Sequence, residues 1–108
     1  MFKDIFGESP QTKILDFLAD MPDFDYTITE LANKSNVSKP TIYKILPSLL
    51  KKKLLIETRM MGNSHLYALN IKNPIVKMIL KLDFEIASKI AELEDNKQIK
   101  DIGHILVT

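Results

Sequence analysis

Residues 38–51 read "SKPTIYKILPSLLK", and Ser38, Lys39, Thr41, Tyr43, Lys44, Ser48 and Lys51 are the residues there that can act on a partner. Lysine ammonium groups contact phosphates or guanine edges, hydroxyls reach phosphates or bases, and a tyrosine offers a ring face and a donor. At helical spacing Lys39, Thr41, Lys44 and Ser48 lie opposite an apolar stripe of Ile42, Ile45, Leu46, Leu49 and Leu50, with Tyr43 at its border. Further along, Arg59 and the polar run Gly62, Asn63, Ser64 and His65 have the chemistry to track a neighbouring phosphate strand or enter a minor groove.

Other chemistries find little to work with. The chain has no cysteine, which removes disulfides, thiolate metal sites and cysteine nucleophiles together. Met60, Met61 and His65 are two soft thioethers and one imidazole, too few for a metal site. His104 is isolated, the acids between Asp20 and Asp25 lack ligand spacing, and no serine or histidine sits where a nucleophile is activated. An enzyme is not expected, and neither is a cofactor.

The charge distribution agrees with a polyanionic partner. Net charge is only +1, yet residues 1–28 carry two lysines against six acids, and residues 29–69 carry seven cations against two acids. Positive charge is therefore concentrated in the middle third. With 108 residues and 45% apolar composition, one modest core is expected and disorder is not. No secretory leader or membrane span is visible, so a cytoplasmic protein is the expectation.

Several elements must position those side chains. Ser9 and Pro10 open a first helix, "SPQTKILDFLAD", with Ile14, Leu15, Phe17 and Leu18 as its stripe. A short extended piece, 26–28, is expected next, with Thr29 capping the short helix "ELANKS". Asn36 suits a left-handed turn, and Ser38 caps the following helix with Pro40 in its first turn. The stripe keeps helical phase across Pro47, which predicts a bend rather than a stop. "LLIETR" and "HLYALN" around Gly62–Asn63 read as a β-hairpin. Asn73–Pro74 begins a long last helix with Ile75, Met78, Ile79, Leu82, Ile86, Ile90 and Leu93 on one face, widened by Val76 and Phe84. The end "HILVT" is open between an added strand and a frayed tail.

A short helix, a tight turn and a second helix make a helix-turn-helix unit, whose second helix lies in a DNA major groove. Here the sequence resembles the winged helix-turn-helix transcriptional regulators of ArsR and MarR type. "YTITELANKSNVSKPTIYKILPSLLKKKLLIETR" and "MMGNSHLYALN" carry the resemblance, which covers about residues 10–70. It implies an α+β, mainly α fold: a three-helix core, a hairpin wing and a long C-terminal dimerisation helix. It also implies that Ser38, Lys39, Pro40, Thr41, Tyr43 and Lys44 face double-stranded DNA, with Arg59, Asn63 and His65 in the wing. One position departs from the pattern, because Lys53 stands where the family usually has glycine after the recognition helix. Its helix end must then be left-handed at some cost, or be shaped differently.

The expected organisation is a DNA-binding domain over 1–72, a dimerisation helix over 73–95 and a tail over 96–108. The apolar face of that helix extends farther than a core of this size reaches, which suggests pairing about a two-fold axis. "MFKDIF" could pack onto that pairing. The function expected is a homodimeric, sequence-specific transcriptional regulator, with DNA contacts at Ser38, Lys39, Pro40, Thr41, Tyr43, Lys44, Ser48, Lys51, Arg59, Asn63, Ser64 and His65. The rival is a winged helix that binds protein in a larger assembly, against which the basic middle third argues. A small-molecule or metal effector is not legible.

Overall fold

The computed structural model describes the backbone of residues 2–107 and the side chains of residues 2–95. Its elements are α1 (Phe2–Phe6), α2 (Pro10–Asp20), α3 (Ile28–Ser35), α4 (Lys39–Lys51), β1 (Leu55–Met61), β2 (Ser64–Leu69) and α5 (Pro74–Val107). This is the winged helix-turn-helix arrangement: α2, α3 and α4 form the three-helix core, β1 and β2 the wing, and α5 leads away from it.

Local chemistry explains most boundaries. Ser9 accepts a hydrogen bond from the Thr12 N–H at 3.1 Å and Pro10 occupies the first turn of α2. Asn36 takes the left-handed conformation (φ 59°) that ends α3, and Ser38 caps α4. The α4 helix runs unbroken through Pro47, so the Tyr43 carbonyl loses its usual i+4 donor.

Three features differ from the sequence expectation. The cap of α3 is Thr27, not Thr29. The Thr27 hydroxyl accepts from the Glu30 N–H at 3.2 Å while the Glu30 carboxylate accepts from the Thr27 N–H at 3.1 Å. A cap at Thr29 would place Ala32 at the reciprocal position, where a methyl cannot return the bond. The extended piece is correspondingly shorter: only Tyr26 pairs, exchanging two 2.8 Å backbone bonds with Tyr67 and adding a one-residue third strand to the wing. Finally, "MFKDIF" contains a helical turn of its own. Phe2 is buried, and its N–H donates to the buried Asp16 carboxylate at 2.7 Å.

The core gathers Ile14, Leu18, Leu31, Ile42, Leu55 and Val76, each at most 1% exposed. Each such side chain stabilises the fold by about 1.5–3 kcal/mol relative to exposure. Along α5 the residues turned to this core are Val76, with Leu80 packed beside it and Asp83 buried. Burial, and beyond it the charges of Asp20 and Asp16, push the Asp83 carboxyl above its ordinary pKa.

In the wing, β1 and β2 pair antiparallel around a turn in which Gly62 has φ 59°. The register shifts between Glu57 and Arg59. Residues 58 and 59 in a regular strand point to opposite faces; the shift lets Thr58 and Arg59 reach the same partner, Asp25.

Candidate nucleic-acid interface

Ser38, Lys39, Pro40, Tyr43, Lys44, Ser48 and Lys51 are exposed along α4, and Thr41 is half-buried. Tyr43 is 61% exposed, so its ring faces outward rather than closing the core. Among the described residues no ion pair engages Lys39, Lys44 or Lys51. The helix therefore has an apolar side against the core and a cationic side open to solvent.

Two of the hydroxyls already have local work. The Ser38 and Thr41 oxygens lie 2.8 Å apart and Ser38 accepts from the Thr41 N–H at 3.4 Å, so both belong to the α4 cap. Each hydroxyl oxygen keeps further lone-pair capacity for a second partner.

The wing tip meets α4 across a cleft of about 190 Å³ lined by Tyr43, Asn63, Ser64, His65, Tyr67 and the first turn of α3. This joins Tyr43 of the helix to three predicted wing residues. It also adds Thr27, Ile28 and Thr29, which the sequence reading did not assign to the site. The signal for them was present: Thr27-x-x-Glu30 is a capping-box pattern, which marks where a helix start lies.

Arg59 is placed elsewhere. Its guanidinium is held by Asp25 and lines a separate groove with Phe24, Ile56 and Ile71. The side chain remains 59% exposed, so its outward donors stay accessible. His65 contacts the Glu57 carboxylate through Nδ1. The cationic character of the surface thus rests on α4 more than on the wing.

On α5, Ile75, Met78, Leu82 and Leu93 are exposed, and Ile79, Ile86 and Ile90 are half-buried. Met78 and Leu93 are 69% and 66% exposed. The predicted stripe is distinct from the Val76 and Leu80 side that closes the core. Beside it, Phe2, Phe6, Leu15, Ile79 and Leu82 line an open apolar groove of about 220 Å³. No helix among the described residues is long and apolar enough to cross a membrane.

The arrangement of capped α3, left-handed turn, α4, wing and long α5 defines a winged-helix protein, and solved structures share it. No protein-family model matches the sequence, and no curated protein sequence matches it. The apo form of a Lactococcus lactis ZitR double mutant is 20% identical, with a TM-score of 0.66 over 94% of this chain and 81% of that one. MepR, a transcription regulator of the Staphylococcus aureus multidrug efflux pump MepA, is 21% identical, with a TM-score of 0.60 over 91% and 76%. The adhesin competence repressor AdcR of Streptococcus pyogenes is 16% identical, with a TM-score of 0.60 over 87% and 75%. MepR is a transcription regulator and AdcR a repressor, and what this chain shares with these neighbours is the fold.

Proposed function

We propose that the chain is a sequence-specific, double-stranded DNA-binding transcriptional regulator that acts as a homodimer. The observation that carries the reading is the outward face of α4, where Lys39, Tyr43, Lys44, Ser48 and Lys51 are exposed. In this reading α4 enters a major groove. Lys51 and the helix-end lysines hold backbone phosphates, while Lys39, Thr41, Tyr43 and Lys44 read base edges. Asn63, Ser64 and His65 follow the adjacent backbone from across the cleft they share with Tyr43. Ile75, Met78, Ile79, Leu82, Ile86, Ile90 and Leu93 pair with the same face of a second copy, giving their exposed apolar surface a cover. The fold neighbours MepR and AdcR, a transcription regulator and a repressor, support the reading.

Selection from random duplex DNA tests it. The expected product is a two-fold symmetric site with half-site centres about 34–36 Å apart, one helical turn. Recovery of no enriched sequence contradicts sequence-specific binding, and a single unpaired site contradicts the homodimer.

A further inference from the structure

The end of α4 is built around a residue that pays for its conformation. Lys53 lies in the left-handed region at φ 57°. Its N–H donates to the Leu50 carbonyl and the Leu54 N–H to the Leu49 carbonyl, both at 3.0 Å. That pair of bonds is the Schellman arrangement, in which glycine usually takes the left-handed place. It leaves the carbonyls of Lys52 and Lys53 at the open end without helical partners.

Two asparagines from beyond the wing supply the donors. Asn73 Nδ2 donates to the Lys53 oxygen at 2.9 Å and reaches the Lys52 oxygen at 3.4 Å. Asn70 Nδ2 donates to the same Lys53 oxygen at 3.0 Å. The opposite ends of these amides are also engaged. Asn73 Oδ1 accepts from the Ile75 N–H at 2.8 Å, at the very start of α5, and Asn70 Oδ1 accepts from the Lys72 N–H at 3.3 Å. The backbone closes the joint, with the Asn70 N–H on the Leu54 oxygen and the Asn73 N–H on the Asn70 oxygen.

A single amide therefore spans from the last turn of α4 to the first turn of α5, bypassing the whole hairpin between them. A carbonyl with a donor on it and a helix N–H with an acceptor on it fix the amide at both ends, so the two helices cannot swing independently without breaking one bond. We propose that Asn73 is a positioning residue that sets the angle between α4 and α5, and with it the separation of the two α4 helices in a dimer. This rests on the reading that α4 faces DNA and α5 pairs.

Asn73→Asp separates the two halves of the amide. The carboxylate keeps the acceptor for the Ile75 N–H, where an acid also suits the helix dipole. It has no donor for the Lys53 oxygen and repels it. Asn73→Ser, a neutral capping side chain, controls for the added charge. Wild type and both variants are carried through selection on random duplexes, and each is titrated against the selected full site and against one isolated half-site. Wild type is expected to select paired half-sites of one fixed spacing. Both variants are expected to bind the isolated half-site as wild type does, to lose about tenfold or more on the full site, and to accept a wider set of spacings. Unchanged spacing and unchanged full-site affinity in both variants overturn the positioning role while leaving the DNA-binding reading intact. Equal losses on the half-site and the full site assign Asn73 a merely structural part and also overturn it. A wild-type selection with no paired site overturns the underlying reading and the inference together.

Discussion

Arg59 donates from Nε and Nη2 to the two carboxylate oxygens of Asp25, at 2.9 and 3.1 Å. Thr58 donates to the same carboxylate at 2.6 Å. This three-residue knot joins β1 to the loop before α3, and the register shift at Thr58 is what turns two consecutive residues toward one acceptor. The Arg59 hydrogen bonds first, and the Thr58 bond after them, hold the Asp25 carboxyl down from 3.8 to about 2.

A depressed carboxylate contributes stability that is present above its unfolded pKa and disappears as pH falls through the folded one. For Asp25 that window runs from 3.8 down to about 2. Urea titrations of wild type and Asp25→Asn at a series of acid pH values are expected to show wild type more stable at pH 5, with the gap closing as pH approaches 2. Added salt narrows the gap at pH 5, because the pair is partly exposed and screened. A gap independent of pH contradicts the carboxylate as its source.

The capping assignment gives a contrast between two threonines two residues apart. Thr27→Ala removes the hydroxyl that accepts from the Glu30 N–H, leaves the backbone half of the capping box, and is expected to cost about 1 kcal/mol of stability. Thr29→Ala, at an exposed first-turn position, is expected to stay within about 0.5 kcal/mol. Equilibrium denaturation reads both, and the reverse ranking contradicts the cap at Thr27.

Pro47→Ala restores a donor to the Tyr43 carbonyl and removes the ring from its path. Against an interior-helix penalty of about 3 kcal/mol, the variant also loses the restriction that proline places on the unfolded chain, about 0.4–1 kcal/mol. A net gain of about 2–2.6 kcal/mol is expected on denaturation. If a bend at Pro47 fits α4 to a groove, duplex affinity falls in this variant; unchanged affinity removes that role from the proposal.

Lys53→Gly tests the cost of the left-handed helix end. The strain relieved is about 1–2 kcal/mol and the extra backbone entropy of glycine about 0.5–1 kcal/mol, so a gain of up to about 1.5 kcal/mol is expected. The Lys53 carbonyl is retained in this variant, so the joint to Asn70 and Asn73 persists. A loss of stability instead means that the lysine side chain contributes more than its backbone costs.

How far the sequence carried depends on the range of the interactions involved. Ser9, Ser38, Asn36 and the Gly62 turn are decided within four or five residues, and the pattern alone located them. The left-handed state of Lys53 was one of two outcomes that the missing glycine required. Thr27 was legible in principle, because its partner Glu30 is three residues away; Thr29 has no such partner. By contrast, the Asp25–Arg59 pair links residues 34 positions apart, and nothing local signals it. The same holds for Phe2 on Asp16 and for Asn73 on Lys53. On α5, Val76 and Phe84 looked alike as flanks of one stripe, yet Val76 is fully buried and Phe84 is 72% exposed. Only the packing of α5 on the core separates them.

In the proposed complex the open cations of α4 meet the phosphates of a duplex. Affinity for duplex DNA is measured as salt is raised from about 50 to about 200 mM, for wild type, Lys51→Ala and the Lys39→Glu, Lys44→Glu double variant. Wild type is expected to give a straight, steeply falling line of log K against log[salt], shallower in Lys51→Ala by about 0.9 for each phosphate contact removed. The double variant is expected to lose binding while keeping its thermal midpoint. A line with no slope, or full affinity in the double variant, contradicts the assignment of α4 to DNA.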